Sequence, residues 1–219
     1  MFFGPRKVAV WPAGLKIETP DQENMVLRTA FPDVADYHPE LIDKIHRLAA
    51  DPELAKQRAR SLGGTKLYRL HEWDLPAADL LNARAMAFYR HAMKSDAAVI
   101  DISWANVYRS GDYVMPHSHV RSTASVVYMV DPGEPDPEDP NSGLFNFVDP
   151  RYPPCCKMRP DYMTTPLRPV MTAGTMIVFP SHLVHCVNPY TGGRPRITIS
   201  WNINATVVPG SPLRDFTAT

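Results

Sequence analysis

The chain has 219 residues, of which 44% are hydrophobic, and its 23 Lys and Arg residues balance 23 Asp and Glu residues. A formal net charge of zero argues against a nucleic-acid partner, because cations that neutralise phosphates supply most of the affinity for nucleic acids. No apolar run approaches the roughly 20 residues that cross a bilayer, so we expect no membrane partner either.

The N-terminal region alternates short apolar pieces with prolines. This pattern predicts a strand or an arm at Val8–Trp11, followed by loop. Residues 1–16 are not typical of a signal peptide, because their apolar stretch is short and no small-residue cleavage site follows it.

Three helices are expected before residue 96. Apolar residues recur at helical spacing in Pro39–Ala50, a second short helix is predicted at Pro52–Arg60, and a third begins after Asp74. The third helix has one apolar stripe, formed by Leu81, Ala85, Phe88 and Ala92. We expect Arg84 and Arg90 elsewhere on its circumference, and the apolar faces of all three helices to cover a sheet.

Beyond Ser95 the pattern becomes that of β-strands. Five segments are rich in β-branched and aromatic residues and are bounded by Gly, Pro, Asn or Asp. They are Val99–Tyr108, Thr123–Val130, Leu144–Val148, Thr175–Phe179 and Ile197–Ile203. Asn188–Arg194 contains two consecutive glycines and predicts a hairpin turn. These elements predict a mainly β fold with flanking helices (α+β), such as a β-sandwich or a jelly roll.

The whole chain, residues 1–219, is expected to form one domain, because sandwiches and barrels often reach about 200–250 residues. The N-terminal arm and supporting helices occupy residues 1–95, and the jelly-roll core occupies residues 96–208, with a proline-rich insert at residues 131–169. We expect Asp149–Thr165 to form a lid or pocket rim that excludes water. A surface loop or a dimer contact is the alternative.

Cysteine usage indicates the compartment. The three cysteines, Cys155, Cys156 and Cys186, are few and odd in number, and neighbouring cysteines rarely bridge. A reducing cytoplasm is therefore the expected location.

Three of the eight histidines are candidate metal ligands. His117 and His119 form an H-x-H pair, and both side chains project to the same face if the segment is extended. His185 follows 66 residues after His119, beyond a predicted strand, so it could reach the same point from a neighbouring strand. Neutral imidazoles suit Fe, Zn, Cu and Ni. We therefore predict a metal site at these three histidines.

Arg196 opens the last predicted strand. A buried guanidinium is costly without an anionic partner, and no acidic residue lies within that strand. Its planar set of donors matches a carboxylate of a ligand. A metal triad beside this arginine predicts a site for a small dicarboxylate held at both ends.

Three segments, SWANVYRSGDYVMPHSH, AGTMIVFPSHLVHCV and RITISWN, resemble the iron(II)- and 2-oxoglutarate-dependent oxygenases, and in particular a bacterial branch with an H-x-H metal motif. The resemblance covers residues 99–204. It implies a double-stranded β-helix core (a cupin-like jelly roll), Fe(II), 2-oxoglutarate as cosubstrate, O2 as oxidant, and release of succinate and carbon dioxide.

The resemblance also assigns roles to individual residues. His117 and His185 match two iron ligands. At His119 most of the superfamily has a carboxylate, so a neutral imidazole replaces an anion here. Either His119 binds the metal or a coordination position opens. We favour ligation because the spacing of the motif is kept.

The implied cosubstrate contacts lie on two strands. By resemblance, Arg196 binds the distal carboxylate of 2-oxoglutarate and Thr198 adds a hydroxyl donor. Asn106 and Tyr108 match residues that contact the cosubstrate in related enzymes. Asn202 lies six residues beyond Arg196, on the same face of its strand.

The implied function is that of a non-haem iron oxygenase. It would couple oxidative decarboxylation of 2-oxoglutarate to hydroxylation, or to desaturation or ring formation, of a small-molecule or amino-acid-like substrate. Two alternatives stay open: a three-histidine cupin-type dioxygenase that does not use 2-oxoglutarate, and a catalytically silent metal-binding jelly-roll protein. A homodimer is compatible with the sequence.

The other histidines lack a partner pattern. We expect His38, His46, His71 and His91 at the surface and His182 in packing. Large apolar side chains that we expect in the core include Trp104, Trp201 and Phe179.

Overall fold

The computed structural model describes residues 8–51, 53, 64–148 and 167–207. Within this part of the chain, ten strands form two antiparallel sheets, and two α-helices pack on the larger sheet. The strands are β1 (Ile17–Asp21), β2 (Val26–Ala30), β3 (Thr65–Tyr68), β4 (Val99–Tyr108), β5 (Val114–His117), β6 (Ala124–Asp131), β7 (Phe145–Phe147), β8 (Thr175–Pro180), β9 (His185–Val187) and β10 (Arg196–Asn204). The helices are α1 (His38–Ala50) and α2 (Pro76–Met93).

The larger sheet has the strand order β1-β2-β8-β6-β10-β4-β3, and the smaller sheet has the order β5-β9-β7. All five strands predicted after Ser95 are present, as β4, β6, β7, β8 and β10. The prediction for Val8–Trp11 is wrong as a strand, since the first strand is β1. Three strands of the larger sheet come from residues 17–68, where the sequence predicts only loop and helices.

Strand β10 at the centre of the larger sheet separates the two faces of the fold. All nine of its residues are buried. Every second residue is apolar, points toward the helices and joins the main hydrophobic core; these residues are Ile197, Ile199, Trp201 and Ile203. Its polar residues face the smaller sheet, because successive side chains of a strand point to opposite faces. A polar surface is therefore enclosed between the two sheets.

The two helices cover the outer face of the larger sheet, as predicted. Leu41 and Ile45 of α1 and Leu81 and Phe88 of α2 are fully buried in the core that they share with the sheet. Each such side chain stabilises the fold by roughly 1.5–3 kcal/mol. The predicted helix Pro52–Arg60 lies outside the described residues. Neither α1 nor α2 is long and apolar enough to cross a membrane.

Arg84 of α2 is fully buried, although the sequence places it outside the apolar stripe of the helix. Its Nη1 donates to Oδ1 of Asp33 at 3.0 Å and to the hydroxyl of Tyr37 at 2.8 Å. Its other guanidinium nitrogens donate to the backbone carbonyls of Ala9 and Val10. The N-terminal segment thus closes over this side of the helix, and the ion pair compensates the burial of the charge.

His38 is also buried, so its predicted surface position is wrong. Its Nε2 lies 2.7 Å from the hydroxyl of Tyr128, which in turn lies 2.7 Å from the hydroxyl of Tyr37. Burial lowers the pKa of His38 to about 4. The imidazole is therefore neutral at pH 7 and belongs to the structural network beneath α1.

The segment Asn188–Arg194 is not the hairpin turn that its glycines predict. It connects β9 of the smaller sheet to β10 of the larger sheet. Tyr190 anchors the crossover: its backbone N–H donates to the carbonyl oxygen of Asp112 at 2.9 Å, and its hydroxyl accepts from the N–H of Glu134 at 2.8 Å. The crossover is what carries the chain from the metal ligands to Arg196.

Candidate metal centre

Three histidines meet between the two sheets. His117, the last residue of β5, pairs directly with His185, the first residue of β9, and their ring centroids lie 4.3 Å apart. His119 follows β5, and its backbone N–H donates to the carbonyl oxygen of Ser181 at 2.8 Å. One candidate ligand atom from each imidazole lies within 4.8 Å of the others. Three nitrogens that bind one ion at about 2.0–2.1 Å lie closer to one another than 4.8 Å, so a bound ion would draw the rings inward.

The hydrogen bonds of His117 and His185 fix the tautomer that a metal needs. Nδ1 of His117 lies 2.9 Å from the carbonyl oxygen of Met115, and Nδ1 of His185 lies 2.9 Å from that of Leu183. A carbonyl oxygen can only accept, so both Nδ1 atoms carry the proton. Each Nε2 then has a free lone pair, and the backbone carbonyl orients the ring, as is typical of metal-binding histidines.

The triad is neutral at physiological pH. Burial, followed by the proximity of His117, lowers the pKa of His185 to about 3 and that of His119 to about 4. Burial also lowers the pKa of His117. Phe145 stacks on the ring of His185, with ring centroids 5.6 Å apart, which adds to the apolar surroundings. All three residues fit a divalent metal ion that prefers imidazole ligands.

His119 is supported by a side chain where the other two histidines use the backbone. Nδ2 of Asn202 lies 3.3 Å from Nδ1 of His119, and Oδ1 of Asn202 accepts from the hydroxyl of Ser125 at 3.1 Å. The Ser125 hydroxyl lies 2.9 Å from that of Ser181. With the amide donating, the imidazole proton is on Nε2. A 180° turn of the amide would place Oδ1 against an Nδ1–H group and free Nε2 for a metal.

Arg196 faces the histidines from the larger sheet, and no acidic side chain in the described part of the chain forms an ion pair with it. Its side chain is buried, and its Nη1 has no hydrogen-bond partner in the described part of the chain. The guanidinium carbon lies 5.1 Å from the ring centroid of Tyr108. Burial raises the pKa of the Tyr108 phenol, which therefore stays neutral beside the arginine. A buried cation with an unsatisfied donor fits the carboxylate that the sequence predicts there.

The remaining predicted cosubstrate contacts lie on the same inner face. Asn106 of β4 pairs in register with Thr198 of β10. Nδ2 of Asn106 lies 3.3 Å from both the Thr198 hydroxyl and the Ser200 hydroxyl, and its Oδ1 accepts from Nε1 of Trp104 at 3.0 Å. The structure therefore places Asn106 and Thr198 beside Arg196, whereas Asn202 contacts His119. Trp104, which we expected in the core, lines the site.

The cavity between the sheets opens to solvent, and about 490 Å³ of empty space lies within it and its mouth. Its described lining contains no Asp or Glu, and it includes three polar residues that the sequence interpretation missed: Lys66, Ser125 and Ser200. Ser200 could have been found, since it continues the alternation that begins at Arg196. Lys66 lies on a four-residue strand, and nothing in the sequence marks that strand as part of the site.

The other histidines lie away from this cavity. His46, His71 and His91 are exposed, as predicted. His182 is exposed as well, so its expected role in packing is wrong. The insert segment Asp149–Thr165, expected to be a lid, lies outside the described residues.

Residues 102–202, which contain the three histidines and Arg196, match a protein family described as "Putative 2OG-Fe(II) oxygenase". The match spans just under half of the chain, and it supports the predicted superfamily, the prediction of an enzyme, and the cofactor set of Fe(II), 2-oxoglutarate and O2. A search of curated proteins found no match.

Solved structures share the fold. A prolyl-4-hydroxylase of Pseudomonas putida is 18% identical with a TM-score of 0.55, and the alignment covers 82% of this chain and 92% of that one. EctD from S. alaskensis, solved with 2-oxoglutarate and 5-hydroxyectoine, is 18% identical with a TM-score of 0.58 and coverages of 92% and 82%. AviO1 from Streptomyces viridochromogenes Tue57 is 16% identical with a TM-score of 0.55 and coverages of 85% and 91%. These similarities confirm the predicted jelly-roll fold.

Proposed function

We propose that this member of the 2OG-Fe(II) oxygenase superfamily couples the oxidative decarboxylation of 2-oxoglutarate to hydroxylation, or a related C–H oxidation, of a small-molecule or amino-acid-like substrate. One observation carries the proposal: three neutral imidazoles at the smaller sheet face a buried arginine of the larger sheet, and Nη1 of this arginine has no hydrogen-bond partner among the described residues. The arrangement matches a cosubstrate that has a metal-chelating end and a carboxylate end.

The residues of the chain divide the work between the two sheets. His117, His119 and His185 hold the iron, and Arg196, assisted by the hydroxyl of Thr198, binds the distal carboxylate of 2-oxoglutarate. Ferrous iron and the cosubstrate, when bound, supply the activation of O2. The protein contributes orientation and a largely buried cavity, in which electrostatic interactions are stronger than in water.

The substrate class is supported by the solved structures. One of them is named a prolyl-4-hydroxylase, and another was solved with 5-hydroxyectoine. The first name states a hydroxylation of a prolyl group, and the second structure contains a hydroxylated small molecule. Hydroxylation of an amino-acid-like substrate is therefore the reaction that we expect here.

The test is an anaerobic titration of the protein with Fe(II), with and without 2-oxoglutarate. We expect a weak visible charge-transfer band only when both are present, and succinate formation after O2 is admitted. A protein that binds Fe(II) without giving this band at saturating 2-oxoglutarate would contradict the proposal.

A second candidate is a three-histidine dioxygenase that does not use 2-oxoglutarate. The absence of a carboxylate from the described metal triad favours it. In that case O2 consumption with a substrate would not depend on added 2-oxoglutarate. Metal binding without any turnover would instead indicate a catalytically silent protein.

Three further expectations from the sequence belong to the proposal. The chain acts as one domain, with the catalytic core at residues 96–208. It works in the cytoplasm, on the basis of its cysteine usage. It is compatible with a homodimer, which measurement of the molar mass in solution would test.

A further inference from the structure

Lys66 is a second buried cation in the wall of the cavity, and the metal and cosubstrate roles do not use it. The residue is 7% exposed, lies on β3, and lines the cavity together with the triad. Among the described residues, no acidic group pairs with it and its Nζ donates no hydrogen bond. Burial lowers its pKa to about 8, so most of the molecules carry the positive charge at neutral pH.

The sheet register places Lys66 away from the end of the cavity where Arg196 lies. Lys66 pairs with Asn106, and the row of Tyr108 and Arg196 lies two residues further along β4. The Nζ of Lys66 lies 5.1 Å from the ring centroid of Trp104, so the side chain extends in the opposite direction. Trp104 lies four residues before Tyr108 on β4, so the two residues are about 13 Å apart along the strand.

The group that Lys66 binds therefore lies near the third histidine. The ring of Trp104 lies 6.1 Å from that of His119. An anion held by Nζ would sit on the side of the metal centre remote from Arg196. The distal carboxylate of 2-oxoglutarate cannot be at both positions, so Lys66 is available to another molecule.

The charges in the cavity favour an anionic molecule. Fe(II) and the 2-oxoglutarate dianion cancel each other, and the three imidazoles are neutral. Arg196 and Lys66 then leave a positively charged cavity, whose described lining has no acidic side chain. The usual carboxylate ligand, which would reduce this charge, is replaced by His119.

Building on the proposed function, we propose that Lys66 binds a carboxylate of the prime substrate, which is therefore a small carboxylic acid such as a free amino acid. A carboxylate carries one charge, which one ammonium group balances. A phosphate group carries about −1.5 to −2 charges at pH 7 and commonly needs several donors, which Lys66 alone does not supply.

The experiment uses the full chain loaded with Zn(II), which is redox-inert, and saturated with 2-oxoglutarate. Sodium acetate, acetamide and inorganic phosphate are titrated at constant ionic strength, and binding is followed by calorimetry. We expect acetate to bind more tightly than its neutral isostere acetamide and than phosphate. Lys66→Met should weaken acetate binding at least tenfold, and Lys66→Arg should retain it within a few-fold.

The matched control is Lys16→Met, which removes the same charge from an exposed lysine at the opposite edge of the larger sheet. It should leave acetate binding unchanged. Lys66→Gln, which removes the charge but keeps a polar end group, replaces the methionine variant if that variant does not fold, as judged by circular dichroism.

Three results would overturn the inference. Equal acetate binding by wild type and Lys66→Met would show that Lys66 does not form an anion site. Tighter binding of phosphate that depends on Lys66 would show that the site does not select a carboxylate. A parallel loss of 2-oxoglutarate affinity in Lys66→Met would assign the lysine to the cosubstrate. Failure of the proposed function is separate, because it would show as no 2-oxoglutarate binding by wild type. The acetate titration of the Zn(II) protein alone would then still test Lys66.

Discussion

The amide of Asn202 on the larger sheet lies 3.3 Å from Nδ1 of His119, which follows the last residue of β5 in the smaller sheet. The contact makes Asn202 a positioning residue for the third histidine. We expect Asn202→Leu to weaken Zn(II) binding about 10–100-fold, which is the usual effect of losing such a supporting hydrogen bond. Competition with a chromophoric chelator measures the change. Unchanged metal affinity with weakened 2-oxoglutarate binding would instead return Asn202 to the cosubstrate contact that the resemblance implies.

His119 itself can be tested as a ligand. We expect His119→Ala to lower metal affinity at least tenfold and His119→Asp to keep the metal bound. An anionic ligand makes Fe(II) a better electron donor, so the charge-transfer band of the aspartate variant should move to longer wavelength. His182→Ala, at an exposed histidine, is the control and should behave as wild type. Wild-type metal affinity in His119→Ala would show that the metal uses only two histidines.

Arg196 should determine cosubstrate affinity without affecting the metal. Loss of a buried, hydrogen-bonded charge pair costs about 2–5 kcal/mol, so Arg196→Met should weaken 2-oxoglutarate binding roughly thirtyfold or more. Anaerobic titration of the charge-transfer band measures this, and metal content should stay the same. Arg196→Lys should recover part of the affinity, and Arg90→Met, at an exposed arginine of α2, should have no effect. Equal loss of metal and cosubstrate would indicate a folding defect instead.

His38 should make stability depend on pH. Burial lowers its pKa to about 4, below the value near 6.5 of the unfolded chain, so the unfolded state binds the proton more readily. Its contribution is complete above about pH 6.5 and is lost as the pH falls toward 4, by up to about 3 kcal/mol. Urea unfolding at pH 7 and pH 5 should show a smaller pH effect in His38→Gln than in wild type. An identical effect in both proteins would contradict this.

Gly192 should not tolerate a side chain. A Cβ atom there would overlap the hydroxyl of Tyr190 and would lie 2.5 Å from the carbonyl oxygen of Glu134. Overpacking of this kind costs typically 1–3 kcal/mol, so Gly192→Ala should lower the melting temperature by several degrees. At Gly193 a Cβ would meet only the end of the flexible Glu134 side chain, at 3.1 Å. Gly193→Ala is therefore the control, and equal destabilisation by both variants would argue against the clash.

Much of the fold can be predicted because its central strands carry their own pattern. β4 and β10 are long, rich in β-branched and aromatic residues, and bounded by turn residues. Strand β3, in contrast, has only four residues, and β1 is largely exposed, so neither shows a clear hydrophobic period. Their place in the sheet depends on pairing with distant strands. This is why the N-terminal region is predicted as arm and helices only.

The residues of the site also divide into those that sequence patterns mark and those that only tertiary packing brings in. The H-x-H pair, His185 and Arg196 are marked by motif and spacing, and the structure brings them together. The burial of Arg84 and His38 cannot be predicted from local sequence, because it results from chain segments that close over them. Lys66 enters the cavity only through the pairing of β3 with β4. Contacts made by tertiary packing are therefore the part that the sequence does not show.

The ligands of the metal come from one layer of the fold and the carboxylate anchor comes from the other. A chelate of metal and cosubstrate would link the two sheets and oppose their separation on heating. Its contribution to thermal resistance should grow with the logarithm of the free ligand concentration, by about 2.7 kcal/mol at one hundred times the dissociation constant. The loaded enzyme should therefore survive proteolysis and storage longer than the bare polypeptide.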